Sequence, residues 1–278
     1  MKLRGSTVVV TGASSGIGWE TARLFARAGS NVVLAARNEE RLQQLARRVE
    51  RYDGRSLVLP TDVTDRRAVE TMAARTIEEF GRIDILVNNA GVGLHAFLAE
   101  GSMDNIRYVF EVNVFGALNC IQAVVPFIKQ QRRGQIINVS SIAGKIAAPY
   151  EGAYAATKFA LTAISDALRL ELADHGISVT TVYPGPIETP FTERALKEVE
   201  RPPRPRVSGG TSAVRVAEAI VRAARRPQRD LYVTWFERLA VGLKVASPRF
   251  VDWGLRRFYA GRGASGRSGP GGGSPASG

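Results

Sequence analysis

The chain has 278 residues, 45% of them hydrophobic, which suits one large α/β domain or two small ones with an ample core. Cys120 is the only cysteine, so an intrachain disulfide and a cysteine metal cluster are excluded, and His95 and His175 are too few and too distant in sequence to suggest zinc. The formal charge of +12 is concentrated at one end: residues 1–200 carry 23 basic and 22 acidic side chains, residues 201–278 carry 15 and 4.

The N-terminus, MKLRGSTVVV, runs straight into a strand pattern. It has no apolar stretch long enough for a signal peptide, and no run of 18 apolar residues occurs, so a reduced cytoplasmic setting is expected. Short apolar runs follow at Thr7–Val10, Asn31–Ala35, Ser56–Leu59, Ile83–Val87, Gln135–Val139 and Ser178–Val182. Each reads as a parallel strand buried on both faces. Amphipathic segments such as Glu39–Arg51 and Arg66–Phe80 lie between them. The repeated βαβ pattern predicts an α/β fold, a doubly wound parallel sheet with helices on both sides, with a seventh strand at Asp230–Thr234. Pro202, Pro203 and Pro205 mark a loop before a helix at about Thr211–Arg225. Trp235–Tyr259 is divided by Pro248 into two expected helices. Residues Gly261–Gly278 are Gly, Ser, Pro and Ala with two Arg, a composition expected to be disordered.

Directly after the first strand comes Thr11-Gly12-Ala13-Ser14-Ser15-Gly16-Ile17-Gly18, then a helix. Glycines there let the backbone turn sharply and approach a pyrophosphate, with a helix N-terminus facing the negative charge. The spacing is Gly-x-x-x-Gly-x-Gly rather than the commoner Gly-x-Gly-x-x-Gly. The end of the second strand selects the dinucleotide, because an acidic residue there binds the ribose 2′-hydroxyl of NAD. This chain has Ala35-Ala36-Arg37: no carboxylate repels a phosphate and an Arg is available to grip one, so NADP(H) is expected over NAD(H). Asp62-Val63 after the third strand is placed to hold the adenine, and Asn88-Asn89-Ala90-Gly91 after the fourth to pass close to the cofactor. Tyr154 and Lys158 are four residues apart, on one helix face, where the cation favours the phenolate and makes Tyr154 a candidate proton donor or acceptor.

These residues resemble the short-chain dehydrogenases/reductases, in the subgroup with TGxxxGxG, NNAG and YxxxK motifs, here Thr11–Gly18, Asn88–Gly91 and Tyr154–Lys158. The resemblance covers about residues 5–235 and implies a Rossmann-type catalytic domain over residues 1–234; beyond it the residues themselves read as a basic amphipathic helical extension over 235–260 and the tail over 261–278. It implies that Ser141 is the catalytic Ser, with Ser140 a packing neighbour, and that Asn113 holds a proton-relay water. It implies that Pro184, Gly185 and Thr189, with Ile187 between them, lie against the nicotinamide. The implied reaction is hydride transfer between NADPH and a ketone or aldehyde, or the corresponding alcohol. Ser141 orients the substrate oxygen, Tyr154 transfers the proton, Lys158 supports Tyr154 and binds the nicotinamide ribose, and Asn113 links Lys158 to solvent by a water. Family members are commonly homodimers or homotetramers. Two rivals remain. Acyl-carrier-protein ketoreductases often end soon after the last strand, whereas this chain continues for about 45 residues. Non-enzymatic redox sensors or scaffolds usually lose the Tyr or the Lys, and both are present.

Substrate contacts are expected from Gly93–Phe97, Ala143–Tyr150 and Pro186–Glu200. These are mostly apolar, without clustered Arg or Lys, so an apolar carbonyl substrate is expected. His95 is expected in a loop exposed to water, with substrate contact as the alternative. The extension interleaves aromatic residues with Arg238, Lys244, Arg249, Arg256 and Arg257. The plainest reading is a cover over the substrate pocket or a subunit interface. The second is peripheral contact with an anionic membrane. Nucleic-acid binding rests on charge alone, with no module visible, and none is expected.

Overall fold

The computed structural model describes residues 1–187, 190–199 and 211–260. The chain alternates β1 (Thr7–Thr11), α1 (Gly16–Arg27), β2 (Asn31–Ala36), α2 (Glu39–Val49), β3 (Ser56–Pro60), α3 (Arg66–Phe80) and β4 (Ile85–Asn88). A short β5 (Leu94–His95) precedes α4 (Met103–Phe110), a π-helical turn (Glu111–Phe115) and α5 (Gly116–Gln131). Then come β6 (Gly134–Val139), α6 (Gly152–Glu171), β7 (Ile177–Tyr183), α7 (Pro190–Glu193), β8 (Leu196–Lys197), α8 (Ala213–Arg225), β9 (Asp230–Tyr232), α9 (Trp235–Ala246) and α10 (Pro248–Ala260).

Seven strands form one sheet in the order β3-β2-β1-β4-β6-β7-β9, and every neighbouring pair in it is parallel. The order reverses direction between β1 and β4, so the crevice at their carboxyl ends is the switch point where such sheets bind ligands. Because strand side chains alternate, each strand feeds two cores. Val8 and Val10 point with Leu34, Val87 and Ile137 toward α1, α2 and α8, where Phe25, Leu42, Leu45 and Ile220 are buried. Val9 points with Val33, Leu86 and Ile136 to the opposite face, against Met72, Ile121, Val124 and Ile128 of α3 and α5. The continuous helical segment Met103–Gln131 is long and apolar enough to cross a membrane by length and composition, but half of its most apolar window is buried inside the fold.

The sheet and its flanking helices match the expectation, with local differences. β4 begins at Ile85 rather than Ile83; the Asp84 backbone still bonds to both neighbours, its N–H donating to the Thr7 carbonyl and its carbonyl accepting from Gln135, while its buried carboxylate accepts the Thr7 N–H (2.9 Å) and pairs with Arg82. The eighth helix starts at Ala213 rather than Thr211, with Ser212 as its cap. β5 pairs with β8 in a separate two-stranded sheet that no sequence pattern announced. His95, expected to face water, is instead 7% exposed on β5, with Nε2 3.7 Å from Oε1 of the buried Glu151. The reason is that its neighbour Ala96 bonds back to the Tyr150 carbonyl and bridges to Glu151, which folds this loop inward. The proline loop at 202–205 and the 261–278 tail lie outside the described residues.

Candidate active site

The glycine loop joins β1 to α1 at the switch point. Gly12 has φ +66°, a left-handed conformation, and a Cβ there would lie 2.9 Å from the Ala90 Cα. Gly18 is tighter still than Gly12: a Cβ would lie 2.3 Å from the Gly12 carbonyl oxygen and 2.4 Å from Asn89 Nδ2. Its role is close approach of α1 to the loop. Asn89 laces that junction, donating from Nδ2 to the Thr11 and Gly12 carbonyls (3.0 and 3.2 Å), while the Thr11 hydroxyl accepts from the N–H groups of Asn89 and Ala90. Asn88 is committed elsewhere. It donates to Asn138 Oδ1 (2.9 Å), and Asn138 donates to Ser165 Oγ (2.8 Å), a buried network that joins β4, β6 and α6.

Tyr154 and Lys158 project from the first turns of α6. Lys158 is 4% exposed and its Nζ donates to the Val139 carbonyl at the end of β6 (3.0 Å). Burial in this low-dielectric site pulls its pKa down from 10.5 to about 8. The Nζ lies 5.7 Å from the centroid of the Tyr154 ring. Gly91 faces this pair: a Cβ there would be 3.6 Å from Lys158 Nζ and 3.1 Å from Asn113 Oδ1, so any side chain would enter the space in front of the lysine.

Asn113 sits in the π-helical turn, where Gly116 N–H reaches the Glu111 carbonyl five residues back. Its amide makes three hydrogen bonds. Oδ1 accepts the Val92 N–H (2.8 Å), and Nδ2 donates to the Val92 carbonyl (2.9 Å) and to Thr157 Oγ1 (3.0 Å). The side chain thus holds the β4–β5 loop against α6. Ser141 caps the 3-10 turn Ile142–Gly144 after β6, its Oγ accepting from the Ala143 N–H (3.1 Å), and it is partly exposed. Ser140 is buried and donates to the Lys158 carbonyl (3.0 Å), which fixes the Ser141 turn against α6.

At the far end of the crevice, Arg37 follows β2 and is exposed; its Nη1 donates to the Tyr108 hydroxyl (3.1 Å) and lies 3.9 Å from Asp62 Oδ2. The other Asp62 oxygen accepts from the N–H and hydroxyl of Thr64. Val63 is buried against Gly116, and its carbonyl accepts from Asn119. Pro184 and Gly185 continue β7, and Ile187 packs on the core behind α1. Thr189 lies outside the described residues.

The profile of the short chain dehydrogenase family matches residues 6–200. The chain belongs to the short-chain dehydrogenases. Dehydrogenase/reductase SDR family member 7B of Rattus norvegicus is 37% identical over 261 residues, covering 89% of this chain and 79% of the relative. A short-chain dehydrogenase/reductase from Burkholderia phymatum, solved in complex with NAD, superposes with a TM-score of 0.80 at 25% identity, covering 90% of this chain and 96% of that one. An alcohol dehydrogenase from Thermococcus sibiricus, complexed with 5-hydroxy-NADP, does so at 0.72 and 27% identity, covering 82% and 95%. This short-chain dehydrogenase is therefore an oxidoreductase of a family that uses a nicotinamide dinucleotide.

Its own residues fit such a cofactor. Helix α1 starts at Gly16 with no side-chain cap and no acidic residue in its first turn, so its positive end suits a pyrophosphate. Ser15, at the cap position, instead accepts from Arg194 Nη1 (3.3 Å). Tyr108 carried no sequence signal of its place at the site, whereas Arg194 and Tyr150 fall in segments expected to contact substrate and Glu237 was legible only as a helix cap. Tyr150 has φ +68°, unusual for a bulky residue, and lies between Phe97 and Tyr259. Glu237 of α9 is 5% exposed; Oε1 accepts the Gly185 N–H and Oε2 the Thr234 N–H, both at 2.7 Å. Thr234-x-x-Glu237 is a legible capping box, but the second bond, to Gly185, crosses 52 residues.

Proposed function

We propose that the chain is an NADP(H)-dependent carbonyl reductase, interconverting an apolar ketone or aldehyde and its alcohol. The observation that carries the reading is the buried Lys158 ammonium, bonded to Val139, 5.7 Å from the centroid of the Tyr154 ring and bordered by Gly91. When bound, NADPH supplies the hydride. Ser141 Oγ, partly exposed at the mouth of the β6 crevice, orients the substrate oxygen by a hydrogen bond. Tyr154 gives its phenolic proton to that oxygen as it gains negative charge, and the Lys158 charge stabilises the phenolate left behind. In the reverse direction the phenolate takes the alcohol proton. Asn113 keeps Gly91–Val92 and α6 in register, which preserves the gap that the nicotinamide half needs.

The NADP(H) preference is supported by Arg37, exposed beyond the end of β2 where Ala36 leaves no carboxylate. Arg37 already shares its neighbourhood with Asp62, so a 2′-phosphate has to compete with that carboxylate at 3.9 Å. The apolar-substrate reading is supported by Phe191, whose ring lies 5.8 Å from that of Tyr154, and by Phe97 beside Tyr150. A homodimer or homotetramer belongs to the same reading: Phe115 and Phe159 are exposed on the single chain and await a cover.

The test is NADPH oxidation against a panel of ketones and aldehydes, with Tyr154→Phe as the control. The wild type is expected to turn over. The variant is expected to lose on the order of 10²–10⁴ in kcat, the contribution of a positioned acid, while its NADPH dissociation constant stays within about twofold. Undiminished ketone reduction by Tyr154→Phe would remove the assignment.

A further inference from the structure

The two C-terminal helices carry an apolar surface that the fold does not cover. Trp235 is 76% exposed, Val245 80% and Trp253 57%. On α9, Trp235, Leu239, Gly242, Leu243 and Ala246 recur at helical spacing and line one shallow open groove with Arg238 beside it. On α10, Arg249, Arg256 and Arg257 with Asp252 line a second groove around Trp253, with Arg257 5.7 Å from the Trp253 ring centroid. Soluble monomers seldom leave so contiguous an apolar surface open unless it meets something.

The acidic side chains of this segment are already engaged within the fold. Glu237 is buried in its bonds to Gly185 and Thr234, and Asp252 pairs with Lys244 at 2.5 Å. The outward chemistry is therefore aromatic and aliphatic with a cationic rim, and it sits in the part of the chain that carries 15 basic against 4 acidic residues. A second copy docking face to face would bring Arg238, Arg249, Arg256 and Arg257 against their own counterparts, an arrangement that like charges oppose. A nucleic acid would satisfy the guanidiniums but leave the Leu239 and Leu243 stripe unmet. An anionic bilayer surface satisfies both: phosphates for the guanidiniums, and the boundary between headgroups and acyl chains for the Trp and Leu side chains.

The surface is continuous with the rim of the active site. The Tyr259 ring of α10 lies 5.6 Å from Tyr150, and Tyr150 lies 5.0 Å from the half-exposed Phe97. Glu237 ties α9 directly to Gly185, at the base of the same crevice. We infer that α9 and α10 dock this enzyme on an anionic membrane surface and that its mouth takes its carbonyl substrate from the lipid phase. The second half of that statement rests on the carbonyl-reductase reading, and the first half stands without it.

The experiment uses full-length protein with vesicles of phosphatidylcholine alone or with about 30% phosphatidylglycerol, read by co-sedimentation and by tryptophan emission. The wild type is expected to partition at least about tenfold more strongly onto the anionic vesicles, with a blue shift and with weakening at high salt. Trp235→Ser with Leu239→Ser is expected to lose about tenfold in partitioning, and Arg249→Gln with Arg256→Gln to lose the preference for anionic lipid. Wild-type protein that stays in the supernatant overturns docking. So does a self-association that Trp235→Ser with Leu239→Ser abolishes, or a short nucleic acid that binds this face while the vesicles do not. If vesicles bind and the enzyme reduces water-soluble ketones, a bilayer-borne long-chain ketone should be reduced faster by wild type than by the Trp235→Ser, Leu239→Ser variant; equal rates overturn lipid-phase delivery. Vesicle binding with no reduction of any carbonyl is a failure of the reductase reading and leaves docking intact.

Discussion

Replacing Lys158 by Met is expected to stabilise the cofactor-free protein at neutral pH while removing its chemistry. Lys158 carries its charge in a site that is 4% exposed, and burial lowers its pKa from 10.5 to about 8. At about 1.4 kcal/mol per pH unit, holding the ammonium there costs roughly 3 kcal/mol relative to the unfolded chain. Met keeps most of the stem and drops the charge, but it leaves the Val139 carbonyl without the 3.0 Å donor, a loss on the order of 1 kcal/mol. The net gain below pH 8 is therefore about 2 kcal/mol. The sign reverses at higher pH. Between about 8 and 10.5 the unfolded chain still binds the proton that the folded chain has released, so wild-type stability rises with pH across that window and the variant's does not. Urea denaturation of both cofactor-free proteins between about pH 7 and pH 10 measures this, with equal m-values as the check that unfolding exposes the same surface. Repeating the pair in a Tyr154→Phe background separates the lysine from its phenolic neighbour. A free-energy difference between the two proteins that is flat across the pH range would refute the argument that Lys158 is desolvated.

Three other outcomes follow from the geometry. Ala36→Asp places a carboxylate at the end of β2 beside Arg37 and is expected to lower the NADPH/NADH ratio of kcat/KM by about tenfold or more, the effect of one unfavourable charge contact; an unchanged ratio would show that this strand end does not select the cofactor. Gly18→Ala forces a Cβ to within 2.3 Å of the Gly12 carbonyl, and a loss of about 3 kcal/mol or failure to fold is expected, read by thermal unfolding without cofactor. Glu237→Ala removes the acceptor of two partly buried N–H groups and is expected to cost on the order of 1–3 kcal/mol, read by urea denaturation.

The site was legible in the sequence wherever its chemistry is local. Tyr154 and Lys158 share one helix, and Gly12 with its left-handed φ and Gly18 against the Gly12 carbonyl lie within one strand–turn–helix unit, although both also press on Asn89 or Ala90 after β4. Position in the chain therefore encoded position in space. Asn113 was legible as a site residue, but its partners were not: the bonds to Val92 and Thr157 depend on how α4, the π turn and α6 meet. His95 reads as a surface residue because it sits in a short segment taken for a loop, and the bridge between Ala96 and Glu151 takes it inside. The β5–β8 pairing joins two residues on each side, too few to leave a periodic trace. Arg194 reaches Ser15 across 179 residues, a contact that no local pattern encodes.

The C-terminal extension is tied into the catalytic fold. A basic amphipathic hairpin appended after the last strand reads as separable from the catalytic fold. Glu237 shows otherwise. Its carboxylate is buried, its two oxygens hold the N–H of Thr234, which starts α9, and the N–H of Gly185, which follows β7, and a Cβ on Gly185 would lie 2.6 Å from Oε1. A buried charge is retained only where hydrogen bonds offset its desolvation, and here one of those bonds fixes the backbone beside the β6–β7 crevice. Removing the extension would therefore leave Gly185 N–H without its acceptor at the point where the site needs a rigid wall. Shortening the chain at Thr234 tests two things together, the surface and the site, whereas substitutions at Trp235 and Leu239 change the surface and leave the Glu237 bond in place.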